Sequence, residues 1–388
     1  MTQKSINWRG IVALNAVSTF AQLGQFGVGF VVMPIWLVTR GLGAIELGLF
    51  SAAGWSGMLL GLLITPRLIA QFGSKKVVFA SLLLSSAGFV IIPFAGWSLW
   101  LLAATLIGFG MGLRWIGTET WLYRIVPKNI LGQVVGVHEA LIALATIVPP
   151  ALVAVLGTAD NKIIWLGIVF NTLPVIPLLL ISTEKSSPKV EGSKQEKSRF
   201  FQVDHITKLG MLIAGAGGLV DGALLALFPL FGIGRGYTES QVALLLTVIG
   251  IGSLALQYPL GWFSDKKGVI RAGLLVAVIA CIVTCLMAFV PMRFNALATM
   301  SFVFGGVTAA FLTFGIIAAA STHDHDHMAE NISKISIAFT VCSIVGSLLA
   351  GFAAHSLGSD ALLWLVALVS GALAGYFARL SFSDKSMS

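Results

Sequence analysis

The stretch GWFSDKKGVIR, residues 261–271, is a short charged turn between two long apolar runs, residues 240–262 and 272–291. Each run has about the 20 residues that a helix needs to cross the hydrocarbon core of a bilayer. The charged side chains are concentrated in the turn. The stretch therefore predicts two antiparallel membrane-spanning helices that are joined on one side of the membrane.

The composition extends this prediction to the whole chain. Of its 388 residues, 57% are hydrophobic and 10% are charged, and the mean hydropathy is +0.94. Because soluble domains carry about 25% charged residues, the composition excludes a water-soluble enzyme. We predict an all-α membrane protein with twelve spans, numbered in chain order: 10–37, 46–66, 76–94, 98–122, 134–156, 163–182, 208–232, 240–262, 272–291, 295–320, 334–355 and 360–380.

Several other classes find no support in the sequence. The first apolar run is too long for the apolar region of a signal peptide, so it is expected to be the first span. The three cysteines lie inside apolar runs without a C-x-x-C pair, which indicates neither disulfides nor a zinc site. Motifs for nucleotide binding, serine hydrolysis and zinc proteolysis are absent from the sequence, so we expect no enzyme and no cofactor.

The basic residues predict the orientation of the chain. With a cytoplasmic N-terminus, nineteen of the 24 lysines and arginines fall on the cytoplasmic side, four fall on the other side, and Arg114 stays within span 4. Cytoplasmic loops carry such an excess, so both termini are predicted to be cytoplasmic. The same excess explains the net charge of +8 without a nucleic-acid partner.

One long polar segment divides the spans six and six. Residues 183–207 are rich in Lys, Glu, Ser and Gly, a composition that buries too little apolar surface to order itself. We therefore predict an N-terminal six-helix bundle at 1–182, a cytoplasmic linker at 183–207 and a C-terminal six-helix bundle at 208–388. The expected state is a monomer in a lipid bilayer.

The charged turn at residues 261–271 has a second copy in the chain. Residues 66–76 read PRLIAQFGSKK between spans 2 and 3, at the place that GWFSDKKGVIR occupies between spans 8 and 9. The two turns resemble the G-x-x-x-D-[RK]-x-G-[RK]-[RK] signature of the major facilitator superfamily, and the resemblance covers the whole chain. It implies alternating access between two bundles, with these turns as the cytoplasmic gate. The gate residues would be Gly73, Lys75, Gly261, Asp265, Lys266, Gly268 and Arg271.

Finer features refine the resemblance. The segments 257–265, 119–122, 221–230 and 346–351 look like the YcaD-like group of transporters. Two departures stand out. Ala70 replaces the acid in the first turn, so closure of the gate is expected to depend on Asp265. Span 5 reads Val148-Pro149-Pro150 and lacks the G-x-x-x-G-P motif of drug/proton antiporters, which weakens a multidrug-efflux assignment.

Three ionisable residues inside spans need a reason to be there, because each costs at least about 2.5 kcal/mol to insert. Arg114 would suit an anionic group of a substrate, or a structural ion pair with another span. Asp221 is placed near the midplane of span 7, where a carboxylate suits proton coupling or substrate contact, with a packed structural acid as the alternative. Glu119 is interpreted as a gate residue or a proton carrier.

Span 1 carries a polar stripe. Asn15, Ser18, Thr19, Gln22 and Gln25 recur at i, i+3, i+4, i+7 and i+10, which places them on one face of a helix. We interpret the stripe as the lining of a wet cavity, with interhelical hydrogen bonding as the alternative. Weaker lining candidates in other spans are Asn171, Gln257 and Tyr258.

The remaining titratable residues are expected to have no special role. His323, His325 and His327 form a His-Asp-His-Asp-His run that resembles a metal site, but a solvated cytoplasmic loop is favoured. His138 and Glu139 are expected to be interfacial.

These patterns together predict a secondary active transporter. It would move a small organic solute across a bacterial-type inner membrane, coupled to protons, with efflux slightly favoured. An importer or facilitator of an organic anion or of a metal chelate such as a siderophore is the first alternative. A membrane sensor or scaffold that transports nothing is the second.

Overall fold

The structure is a computed structural model that describes residues 6–127, 129–181, 205–290, 293–320 and 328–385. Within these residues it contains helices and no strands, and twelve helical stretches are long and apolar enough to cross a membrane. The all-α prediction and the number of spans are therefore confirmed. The spans are Trp8–Thr39, Ala44–Phe72, Ser74–Phe94, Trp97–Ile125, Leu131–Leu156, Ala159–Leu180, His205–Gly234, Glu239–Lys267, Val269–Phe289, Phe294–Ala320, Met328–Leu357 and Ala361–Lys385.

Span 1 is not a regular α-helix. Its middle, Leu23–Val32, is a π-helix, and the N–H of Met33 still bonds five residues back to the Val28 carbonyl. The segment packs closely on span 5, because a Cβ at Gly27 would lie 2.5 Å from the Ala145 carbonyl oxygen. Glycine therefore permits this contact, and the uniform 3.6-residue spacing that the stripe prediction assumed ends at the π-helix.

Spans 3, 5 and 6 are also interrupted. Span 3 ends in a 3-10 turn at Ile92–Phe94. Span 5 consists of Leu131–Ala143, a 3-10 turn at Leu144–Thr146, and Val148–Leu156. Span 6 begins in a 3-10 turn at Ala159–Asn161 and continues as Lys162–Thr172 and Val175–Leu180. Proline follows the breaks in spans 5 and 6, since it lacks the N–H that a continuing helix needs.

The first four spans and spans 7–10 repeat with a constant offset of 195 positions. Spans 2 and 8 are both 29 residues long, and spans 3 and 9 are both 21 residues long. Gly73 and Gly268, 195 positions apart, cap spans 3 and 9 with nearly identical backbone angles of φ 82°, ψ 155° and φ 82°, ψ 154°. Such a conformation is essentially restricted to glycine.

The turns on the other side of the membrane repeat in the same way. Gly41 and Gly236 end spans 1 and 7 with φ of 80° and 86°. The preceding arginines also match, since the Arg40 guanidinium lies 4.9 Å from the Trp36 ring centre and that of Arg235 lies 5.2 Å from the Phe231 ring centre. The internal repeat therefore extends beyond the two charged turns into the geometry of four spans.

The described residues form two compact units. Unit 1 comprises those of Met1–Met33 and Ser56–Arg199, and unit 2 comprises those of Pro34–Trp55 and Phe200–Ser388. One core of unit 1 packs spans 1, 3 and 4 around Leu14, Leu82 and Leu122, all at most 1% exposed. The main core of unit 2 packs spans 7, 9, 10 and 12 around side chains such as Phe311 and Phe377. The predicted linker lies mostly outside the described residues.

Span boundaries differ from the prediction by up to six residues, at the end of span 2, which extends to Phe72 instead of 66, and at the start of span 11. This helix begins at Met328, six residues before the predicted start, so Lys334 lies inside the helix. Its side chain is 5% exposed, and its Nζ lies 2.8 Å from the Glu330 carboxylate, one turn away. The local ion pair with Glu330 thus lies where the prediction placed the start of the span, one turn inside the observed helix.

Candidate functional site

The guanidinium of Arg114 is the centre of a buried polar network in unit 1. Arg114 is 2% exposed, and its Nε donates a hydrogen bond to Gln25 Oε1 at 2.8 Å. Its Nη2 donates to Gln22 Oε1. The structure thus brings the cation of span 4 to two amide oxygens of the span 1 stripe. These neutral acceptors hold one edge of the guanidinium without cancelling its charge.

Gln25 extends the network to a third span. Its Nε2 donates to Ser85 Oγ at 2.9 Å, and Ser85 in turn lies 3.4 Å from the Ile107 carbonyl oxygen. Gln25 and Ser85 are both fully buried. Spans 1, 3 and 4 are therefore joined by one chain of hydrogen bonds around a single charge.

The lower part of the stripe bonds to span 5. Asn15 Oδ1 lies 3.0 Å from His138 Nδ1, and His138 is 2% exposed. The expectation that His138 is interfacial is therefore wrong, because its ring turns inward onto span 1. We call Asn15, Gln22, Gln25, Ser85, Arg114 and His138 the span 1 network. Its geometry corresponds to the interhelical alternative, while cavity lining by the same residues stays a prediction.

Two buried polar atoms near the network have no hydrogen-bond partner in the part of the chain that the structure describes. Ser18 Oγ belongs to the stripe, and Asn171 Oδ1 belongs to span 6. The other amide atom of Asn171 donates to the Gly167 carbonyl at 2.8 Å and packs against Gly24 of the π-helix. An unpaired buried polar atom costs about 1 to 3 kcal/mol, so both positions require an explanation.

Glu119 lies on another side of span 4 from Arg114. It is half-buried and accepts a hydrogen bond from the Trp115 side chain, one turn earlier. Glu139 of span 5 is exposed and lies within electrostatic range of Glu119. Glu119 and Arg114 share no hydrogen bond among the described contacts, but they lie within electrostatic range of each other.

Asp221 lies on the face of span 7 between spans 10 and 11. A Cβ at Gly217 would meet Phe311 of span 10, and one at Gly218 would meet the Phe339 carbonyl of span 11. At 100° per residue, Asp221 falls between these two directions. Its carboxylate is half-buried and has no hydrogen bond or ion pair with any residue that the structure describes.

The two predicted lining residues of span 8 differ in their contacts. Gln257 Nε2 donates to Thr313 Oγ1 of span 10 at 3.1 Å. Tyr258 is 82% exposed. Both lie on a helix half that is largely exposed, and Gly261 on the same half has no atom within 4 Å of an added Cβ.

The two charged turns differ in what their side chains contact. Lys75 Nζ, at the start of span 3, donates to the carbonyl oxygens of Leu179 and Ile181 at the end of span 6. A cation at a helix C-terminus is stabilised by the unpaired carbonyls there. The turn that has lost its acid is therefore attached to a neighbouring span of unit 1 through its lysine.

The second turn makes fewer contacts. Asp265 is exposed and has no ion pair or hydrogen bond among the residues described, and Arg271 is also exposed. The Lys266 ammonium lies 4.0 Å from the ring centre of Trp262, one turn away on the same helix. The acid that the sequence predicts to be central to the gate thus has no partner among the described residues.

Some polar contacts were not predicted from the sequence. Ser85 is one serine among several in span 3, and no pattern distinguishes it. Arg235 forms a two-pronged ion pair with Asp360 at 3.1 and 2.9 Å and donates to the Ala288 carbonyl at 3.1 Å, joining the ends of three spans in unit 2. His323, His325 and His327 lie outside the described residues, and the described part contains no cluster of metal-binding side chains.

Comparison with known proteins agrees with this architecture. The model of the Major Facilitator Superfamily matches residues 16–290 and 210–386. The chain is 23% identical over 355 residues to an uncharacterised MFS-type transporter of Enterobacter sp. (strain 638), with 87% of each chain covered. It is also 23% identical over 344 residues to the uncharacterised MFS-type transporter YcaD of Escherichia fergusonii, again with 87% of each covered. The resemblance found in the sequence is confirmed.

Solved structures show the same fold. A nucleoside transporter, NupG, superposes with a TM-score of 0.73 at 13% identity, covering 95% of this chain and 98% of the other. A D-xylose-proton symporter superposes with a TM-score of 0.76 at 12% identity, covering 96% and 97%. At such identities the likeness concerns the fold.

Proposed function

Because the chain belongs to the Major Facilitator Superfamily, we propose that it is a secondary active transporter that moves a small organic solute by alternating access, coupled to protons. The proposal places it in a bacterial-type inner membrane, as a monomer with both termini cytoplasmic. Export is slightly favoured over import. The proposed solute contacts are Arg114, the span 1 stripe, Asn171, Gln257 and Tyr258.

The observation that carries the coupling proposal is the unpartnered carboxylate of Asp221. A structural acid inside a span is expected to be paired or hydrogen-bonded, since an isolated charge there is costly. Asp221 has no such partner among the described residues. Its carboxylate is therefore proposed to bind and release a proton during the transport cycle. Glu119 is the second proposed proton carrier, and one protein of similar fold is a D-xylose-proton symporter.

A transport experiment tests this coupling. A thermal-shift screen of the purified chain over metabolites, drugs and siderophores first supplies a solute. Asp221→Asn in proteoliposomes is then expected to abolish accumulation of that solute under a pH gradient while solute exchange continues. Asp160→Asn, an exposed acid with φ of 55° that asparagine also adopts, is the matched control. Wild-type accumulation by Asp221→Asn would contradict the proposal.

Arg114 supports the alternative of an organic anion or metal chelate as the solute, because the acceptors that hold its charge are neutral. A counterflow assay in the same vesicles distinguishes a transporter from a sensor or scaffold with this fold, since a sensor or scaffold would exchange no solute.

A further inference from the structure

The orientation of the Asn15 amide fixes the proton on the His138 ring. Asn15 Nδ2 donates to the Ile11 carbonyl at 2.9 Å, so Oδ1 is the atom that faces His138 Nδ1. An amide oxygen accepts hydrogen bonds, and Nδ1 must therefore carry a hydrogen. In the neutral ring this leaves Nε2 as an acceptor.

Nε2 itself has no partner among the described residues. His138 is 2% exposed, and Nε2 is absent from the set of fully enclosed unpaired atoms. The Nη1 nitrogen of Arg114 is in the same position, because the described contacts use Nε and Nη2. A buried acceptor and a buried donor thus each have a neighbouring nitrogen that is hydrogen-bonded to span 1, while they themselves have no partner among the described residues.

The span 1 residues that bond to these two side chains are seven positions apart. Asn15 holds His138 and Gln22 holds Arg114, and seven residues of helix rise by about 10 Å. Ser18 lies between them on the same stripe, with its hydroxyl unpaired and enclosed. Three polar groups in a row on one face therefore lack partners in this structure.

We propose that Arg114 and His138, at the two ends of this row, bind the transported solute, and that the solute carries an anionic group for Arg114 Nη1 and a hydroxyl or amine donor for His138 Nε2. The proposal rests on the transporter function and names its substrate class. It adds His138 to the solute contacts and limits the distance between the two groups of the solute to about 10 Å.

Three simple probes test the row on the purified full chain. 6-Hydroxyhexanoate carries both groups, hexanoate carries the anion alone, and 1,6-hexanediol carries the hydroxyls alone. Binding of each is measured as the concentration-dependent shift of thermal unfolding. We expect 6-hydroxyhexanoate to bind on the order of tenfold more tightly than either of the others, as one well-placed buried hydrogen bond allows.

Two substitutions test the two proposed contacts one at a time. In His138→Asn the new amide nitrogen replaces Nδ1 and keeps the bond to Asn15, but nothing replaces Nε2. It is expected to bind 6-hydroxyhexanoate no better than hexanoate, with unfolding temperature unchanged. Arg114→Lys keeps a charge without the fork, and should weaken hexanoate and 6-hydroxyhexanoate alike. His355→Asn, at an exposed histidine of span 11, is the control for removal of an imidazole.

The outcomes are distinct from those of the coupling test. Three results would each contradict the proposed solute site. They are equal binding of the three probes, no binding of 6-hydroxyhexanoate at millimolar concentration, and an unchanged preference in His138→Asn. Proton-driven accumulation of another solute would then still support the transporter proposal. Conversely, a confirmed preference with no solute exchange in vesicles would retain the row as a ligand site and reject transport.

Discussion

Spans 1–4 and spans 7–10 have their turns at matching positions, but span 1 contains a π-helix where span 7 is α-helical, and their interiors differ. At the constant offset of 195 positions, the network residues Gln22, Gln25, Ser85 and Arg114 correspond to Gly217, Val220, Ala280 and Ala309. In the reverse direction, Asp221 corresponds to Phe26. The repeated glycine turns and span lengths therefore determine the scaffold, while each copy holds its own ionisable group.

This difference shows that a bundle of this kind can pack without the polar network. The equivalent region of unit 2 is closed by small and apolar side chains, with Gly218 and Gly222 in backbone contact with span 11. The polar network is thus specific to unit 1. Its contribution can be tested by introducing the corresponding residues of unit 2 at its positions.

The largest expected effect comes from Arg114→Ala. It leaves the buried oxygens of Gln22 and Gln25 without their donor, and we expect the free energy of unfolding to fall by about 3 kcal/mol. The triple variant Gln25→Val, Ser85→Ala, Arg114→Ala copies the unit 2 residues. Since removing both partners of a hydrogen bond costs less than removing one, it should be more stable than Arg114→Ala alone. Thermal and denaturant unfolding compare the two, and a less stable triple variant would contradict the comparison.

The second test concerns the repeated turn. Gly73→Ala and Gly268→Ala each force a Cβ into a conformation that is restricted to glycine, at a cost of about 1 to 3 kcal/mol, although no atom lies near either position. Equal losses are expected because the backbone angles agree. Gly261→Ala, in the adjoining helix with open space around it, should be neutral or stabilising. Unequal losses in the two copies would mean that the turns are not equivalent in solution.

The sequence predicted the scaffold better than the network. Gly73 and Gly268 follow from the turn signature, and the Gln22, Gln25 and Arg114 candidates follow from polarity inside apolar spans. The π-helix did not follow, since it depends on how closely Gly27 packs against span 5. His138 was misplaced because the sequence shows only its position near the start of span 5, whereas the contact of its ring with Asn15 of another span depends on the tertiary structure.

The third test addresses a contact of unit 2. Arg235→Lys removes the two-pronged geometry toward Asp360 and the bond to the Ala288 carbonyl, which a single ammonium does not reproduce. The pair is partly exposed, with side chains 28% and 37% accessible, so the expected loss is about 1 kcal/mol. Arg293→Lys, on a terminal residue before span 10, is the control. Thermal unfolding in low salt measures both, and equal values would indicate that the pair contributes nothing.

The smallest expected effects separate the two charged turns. Lys75→Met removes an ammonium from the carbonyls that end span 6, and should lower the free energy of unfolding by about 0.5 kcal/mol. Asp265→Asn removes a carboxylate that has no partner among the described residues, and should leave it unchanged. If transport by Asp265→Asn nevertheless falls while its unfolding temperature stays at the wild-type value, the partner of Asp265 forms in another state of the cycle, and the gate role is supported. If unfolding of Asp265→Asn shifts more than that of Lys75→Met, the acid is engaged in the resting state, and the contrast drawn between the two turns is wrong.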